Sequence, residues 1–261
     1  MHIKANGISI NHRIDGTSGP WLVLSNSLAT DLTMWDEQVR ALSGAFRVLR
    51  YDQRGHGKTE ATQGRYSFDL LMADAIALLD ALSIPRASVC GLSMGGATAL
   101  ALAQRHPDRI ERAIVADSGC ASTPQSAAQW EERIAVAQQD GMAALVEPTV
   151  TRWFPPEVLA KKPPYLDAVR AMIRATPVAG FIGCAAALAD HDFRSAVSST
   201  KPPVLFIAGE KDAGGAVAIA MRGLHQALAG SRYVELPGAG HISNLDDPAG
   251  FTRALGEFLR V

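Results

Sequence analysis

Five residues, Gly91-Leu92-Ser93-Met94-Gly95, carry the pattern G-x-S-x-G. A serine hydroxyl is fully protonated at neutral pH and attacks poorly. It becomes a nucleophile only beside a base, and that base must be held by an acid. The pattern suits this chemistry when the serine sits on a sharp strand-to-helix turn. Glycines on either side leave room for the turn, and the helix start offers free N–H groups to developing negative charge. Gly96 and Ala97 extend the small-residue surface by which the helix approaches the strand. For a serine presented in this way, the acid and then the histidine follow along the chain. The sequence has seven histidines. His2, His12 and His56 precede Ser93, His106 ends the following helix, His225 falls in a helical stretch and His191 in a connection. His241, in Pro237-Gly238-Ala239-Gly240-His241, follows the last strand-like segment and is the expected base. Asp212, in the connection after Leu205–Gly209, is the expected acid, with Asp117 as the alternative. Asp246 and Asp247 read as N-terminal charges of the last helix.

Acyl transfer also needs two N–H donors for the oxyanion. The amide of Met94, next to the serine, is one. The amide of Leu28, in the connection Ser25–Thr30, is the expected second, although the same residues would also suit an ordinary strand–helix loop.

The elements that must position these groups alternate. Strand-like segments are Ile8–Ile14, Trp21–Ser25, Phe46–Tyr51, Ala87–Leu92, Arg112–Ala116, Pro203–Gly209 and Arg232–Leu236. Helix-like segments fall between them at Met34–Leu42, Phe68–Leu82, Gly95–Gln104 and Val217–Ala229, and Pro248–Leu259 closes the chain. Continuous apolar runs such as Trp21–Ser25 mark strands covered on both faces. The alternation predicts a mostly parallel, doubly wound α/β sheet. Between Ser122 and Asp190 the rhythm breaks into helical stretches punctuated by Pro148, Pro155, Pro156, Pro163, Pro164 and Pro177. This predicts a core of residues 1–121 and 190–261 with a helical cap, 122–189, inserted into it.

With 48% hydrophobic residues and a net charge of −1, disorder and bulk-charge binding to nucleic acid are excluded. Three cysteines in 261 residues form no disulfide framework and suit a cytoplasmic protein. The uncharged run Ala87–Gln104 contains Ser88, Gly91, Ser93, Gly95, Gly96 and Gln104, which argues for a strand turning into a helix rather than a membrane span. Asp190-His191-Asp192 reads as a linker, because adjacent residues point different ways.

The elbow, the acid connection and the final histidine resemble the α/β-hydrolase superfamily over almost the whole chain. More narrowly, Asn26-Ser27-Leu28, Met34-Trp35-Asp36, Asp52–Gly57 and Gly91–Gly96 look like 3-oxoadipate enol-lactonases. Ala29, Lys58 and the absence of a proline soon after Asp212 depart from that pattern. The resemblance implies a serine hydrolase with no cofactor and no metal, in which Arg54 and His56 are structural. The implied substrate is a small lactone carrying a carboxylate, so the cap should supply a cation. Arg133 is the candidate, with Trp130 at i−3 beside it and Trp153 as a second aromatic wall. The alternatives are core packing for the tryptophans and a solvated pair with Glu131 or Glu132 for Arg133. A general carboxylesterase, a cofactor-free perhydrolase, a hydrolase of C–C bonds in meta-cleavage products and a hydrolase-fold ligand receptor are the competing readings.

Overall fold

The computed structural model describes residues 1–260, and a single eight-stranded sheet organises them. In chain order the strands are β1 His2–Ala5, β2 Ile8–Asp15, β3 Trp21–Ser25, β4 Arg47–Tyr51, β5 Ala87–Leu92, β6 Ile110–Ala116, β7 Val204–Gly209 and β8 Arg232–Leu236. Their spatial order is β1-β2-β4-β3-β5-β6-β7-β8. β1 and β2 pair antiparallel, as do β2 and β4, while the six strands from β4 to β8 run parallel. Every residue of β5 and β7 is buried, which requires cover on both faces and accounts for the absence of charged residues from both strands. The cover comes from α1 Asp36–Leu42, α2 Phe68–Ala81, α3 Met94–Arg105, α9 Ala216–Ala227 and α11 Pro248–Leu259, together with the one-turn α10 Ser243–Asp246. α3 packs on β3, β5 and β6, and α9 and α11 pack on β7 and β8.

Five helices lie between β6 and β7: α4 Pro124–Asp140, α5 Met142–Trp153, α6 Pro156–Lys161, α7 Tyr165–Ala175 and α8 Val178–Asp190. The chain enters and leaves this block at one place. The Phe193 N–H donates to the Cys120 carbonyl at 2.7 Å, the Ser122 N–H to that of His191 at 2.8 Å, and Ala121 bridges Asp192. α4 packs on α8 and α5, and α5 on α7. α8 is apolar because nine of its residues are buried inside the protein. Among the described residues no single helix is long and apolar enough to cross a membrane; α7 and α8 together are, but they meet at 97°.

Three short elements escape the sequence periodicity, the edge strand β1, the six-residue α6 and the one-turn α10. Pro148 does not break its helix: α5 runs through it to Trp153.

Candidate active site

Ser93 stands at the C-terminal end of β5, where the chain turns directly into α3. Its backbone is at φ 56°, ψ −114°, a conformation that costs an L-residue free energy. The turn has no room for larger neighbours. A Cβ on Gly91 would lie 1.9 Å from the Gly95 carbonyl oxygen, and one on Gly95 would lie 2.2 Å from that of Ser25. The Ser93 N–H donates to the Ala116 carbonyl at 2.8 Å, which ties the turn to β6.

The connections after β7 and β8 bring two further groups to this point. His241 Nε2 lies 2.9 Å from Ser93 Oγ, and His241 Nδ1 lies 2.7 Å from Asp212 Oδ2. Asp212 is buried, the imidazole is 15% exposed and Ser93 is half-buried, so the acid is the member of the row most withdrawn from solvent. Burial acts to lower the imidazole pKa, but the charge and hydrogen bond of the Asp212 carboxylate beside it outweigh that effect, so the net shift is upward. Asp212 is followed by a left-handed turn, Ala213 at φ 47° and Gly214 at φ 67°, where the resembling family would place a proline.

Asp117 does not take the position beside the imidazole. Its Oδ1 accepts from the Gly209 N–H at 2.7 Å, and its Oδ2 accepts from the Ser243 hydroxyl. Burial, and then the nearby Asp212 charge, push its pKa up to about 8. It ties the end of β7 to the start of α10 and so braces both connections.

The loop after β3 is knitted by side chains. Asn26 Nδ2 donates to the Ser27 and Thr30 carbonyls, and Gln53 holds Asn26 through its main-chain N–H and its Nε2. The Ala29 N–H donates to His56 Nε2 at 2.9 Å, with Ala29 at φ 59°. Neither the Leu28 nor the Met94 amide donates to a protein acceptor among the described residues.

The helices between β6 and β7 place Trp153 against the imidazole and hold Arg133 among aromatic rings. The Trp153 indole stacks on the His241 imidazole, centroids 5.9 Å apart and planes at 29°. The Arg133 guanidinium lies over the rings of Trp130 at 4.9 Å and Phe181 at 5.7 Å, and its Nη2 donates to Thr149 Oγ1 at 2.8 Å. It has no carboxylate partner among the described residues. The pairing with Glu131 or Glu132 weighed from sequence is not formed, because Glu131 faces Arg65 at 2.6 Å. Burial, and then the Arg152 charge, lower the Arg133 pKa to about 10.

A profile described as the alpha/beta hydrolase fold matches residues 20–248. The chain belongs to the alpha/beta hydrolase fold family. Among the relatives of this hydrolase is 3-oxoadipate enol-lactonase 2 of Acinetobacter baylyi, 34% identical across 97% of this chain and 94% of that protein. A putative carbamate hydrolase RutD of Pseudomonas syringae is 29% identical across 95% and 96%. Among solved structures, the enol-lactonase from Burkholderia xenovorans superimposes with a TM-score of 0.94 at 42% identity, covering 99% of each chain.

One feature of the hydrolase differs from the sequence reading. Asp247 does cap α11, accepting from the Gly250 N–H at 2.9 Å, but Asp246 does not. It turns back to accept from the Gly240 N–H and the Tyr165 hydroxyl, each at 2.7 Å. In the Asp190-His191-Asp192 segment, the His191 ring bonds the Leu188 carbonyl and Asp192 pairs with Arg194. The supporting roles of Asn26 and Gln53 carried no sequence signal beyond their place in the loop.

Proposed function

We propose that this hydrolase opens the ring of 3-oxoadipate enol-lactone to give 3-oxoadipate, working in the cytoplasm, the compartment its unpaired thiols suit. The observation that carries the reading is the hydrogen-bonded row Ser93–His241–Asp212, with distances of 2.9 and 2.7 Å. Ser93 Oγ attacks the lactone carbonyl carbon as its proton passes to His241 Nε2, and Asp212 stabilises the imidazolium. The carbonyl oxygen becomes an oxyanion between the Leu28 and Met94 amides. Each such donor typically contributes about 3–4 kcal/mol to lowering the barrier. The tetrahedral centre collapses by breaking the ring C–O bond. The leaving enolate oxygen takes the proton from His241, and the enol becomes the ketone. Water then attacks the acyl carbon while His241 accepts its proton. The Ser93 Oγ–C bond breaks, the proton returns to the serine, and the second carboxylate of the product is free.

The helical insertion, residues 122–189, acts as the cap. Arg133 receives the substrate's existing carboxylate, since a half-buried guanidinium without an acidic partner is a ready site for one. Trp130 and Trp153 form apolar walls around the ring. The relatives named as enol-lactonases support this choice of substrate over a simple ester.

The test is turnover of the enol-lactone, 4-nitrophenyl acetate and a small carbamate by wild type and Ser93→Ala. Wild type is expected to prefer the lactone, and Ser93→Ala to lose activity on all substrates. Lactone turnover surviving in Ser93→Ala refutes the mechanism, and a preference for the carbamate refutes the substrate.

A further inference from the structure

The histidine on the β8 connection is held in place from the side of the cap. The His241 N–H donates to the Trp153 carbonyl at 2.7 Å, and Trp153 is the last residue of α5. The preceding amide, Gly240, donates to Asp246 Oδ2, while Asp246 Oδ1 accepts from the hydroxyl of Tyr165, the first residue of α7. Both amides next to the imidazole are therefore anchored, directly or through one carboxylate, to the helical insertion. The approach is close. A Cβ on Gly240 would lie 2.3 Å from the Trp153 carbonyl oxygen and 2.7 Å from Pro155 Cδ. On its other side the same connection is tied to the core, where Asn244 Nδ2 donates to the Met34 carbonyl at 2.8 Å. A groove of about 450 Å³ runs along the seam between α7 and the core, lined by Met34, Tyr165, Met172, Leu245 and Asp246. The Tyr165–Asp246 bond crosses that seam.

We infer that Asp246 is a positioning residue for the reaction, a carboxylate that fixes the His241 main chain to the cap through Tyr165. This rests on His241 being the base, as proposed above. The imidazole must keep Nε2 in reach of Ser93 Oγ and Nδ1 in reach of Asp212 together, and a small displacement of its main chain misaligns both. Asp246 supplies two acceptors in fixed directions, which requires its shape more than its charge. An asparagine there keeps an oxygen for the Gly240 N–H and turns its NH2 toward the Tyr165 oxygen.

The experiment compares Asp246→Ala, Asp246→Asn and Tyr165→Phe with wild type on 4-nitrophenyl acetate, a neutral probe that makes no demand on Arg133. Melting temperature serves as the check on folding. Asp246→Ala should lose about 100-fold in kcat with little change in KM, as expected for misplaced reacting groups. Tyr165→Phe removes one hydrogen bond and should lose about three- to tenfold. Asp246→Asn should recover most of the loss. The far-downfield proton resonance of the His241–Asp212 hydrogen bond should be sharp in wild type and Asp246→Asn and broadened in Asp246→Ala. Wild-type kcat in Tyr165→Phe together with folded Asp246→Ala overturns the inference, as does an Asp246→Asn no better than Asp246→Ala. If Asp246→Ala does not fold, Tyr165→Phe and Asp246→Asn decide: the first must fall and the second must stay close to wild type. Ser93→Ala and His241→Ala separate the two claims. If both are inactive while the Asp246 variants are unimpaired, only the positioning role fails; if either turns over normally, the mechanism fails first.

Discussion

Arg133 is a cation without a carboxylate partner among the described residues, and the proposed function gives it one in the substrate. Its guanidinium rests on two aromatic rings and one hydroxyl, and the nearest acidic neighbours in sequence are exposed, with Glu131 engaged by Arg65. Arg133→Gln should raise KM for the carboxylate-bearing lactone by about 10–100-fold, the usual consequence of removing one partner of a desolvated charge pair. Hydrolysis of 4-nitrophenyl acetate should be unaffected. Glu131→Gln should change neither, and steady-state kinetics on the two substrates reads all three outcomes. The imidazole of His241 gives a second prediction at this scale. Once protonated it cannot accept the Ser93 proton, so activity falls as pH drops through its pKa. Because Asp212 raises that pKa against the effect of burial, the acid limb of kcat/KM should lie above the ordinary imidazole value of 6.5. Asp212→Asn should move the limb downward, and a pH–rate profile of each variant decides it.

Among the elements, the connections after β3 and β4 work as a pair. His56 Nε2 accepts the Ala29 N–H, so the ring proton must sit on Nδ1, where it faces the Arg54 carbonyl at 3.1 Å. Only the neutral imidazole fits both contacts, and burial lowers its pKa to about 4. The unfolded chain therefore takes up a proton on this residue before the folded chain does. Stability is full above the unfolded value of about 6.5 and declines as pH falls toward about 4, by about 3 kcal/mol in all. Urea denaturation at pH 7.5 and pH 5 measures the loss, and His56→Gln should flatten it. The sequence made these elements legible to different degrees. Trp21–Ser25, Ala87–Leu92 and Val204–Gly209 are covered on both faces, so burial wrote itself into uncharged, mainly apolar runs. β1 has one buried residue in four and α6 has none, so neither carries a periodic signal.

Across the whole molecule, legibility followed local pattern and not distance along the chain, since the Ser93–His241 contact spans 148 positions. Ser93 and His241 stand out because a strand-to-helix elbow and the order of the later connections point to them, while the acid stays between Asp212 and Asp117 until the structure places Asp212 beside the imidazole. The Tyr165–Asp246 bond spans 81 positions and joins a helix start to what looks like a helix cap, so no local pattern points to it. The unpaired state of Arg133 was hidden for a related reason: Glu131 and Glu132 lie next to it in sequence, and only the packed structure turns Glu131 toward Arg65. The Ser93 backbone has a consequence for the protein's heat tolerance. At φ 56°, ψ −114° any side chain at this position is strained by about 1–3 kcal/mol, and only glycine escapes most of that cost. Ser93→Gly and Ser93→Ala both remove the hydroxyl, but Ser93→Gly should melt higher, by about 2–4 °C for each kcal/mol relieved in a chain of this size. Calorimetry on the two variants would show how far the wild-type melting point lies below what the same fold reaches when position 93 is relieved of a side chain.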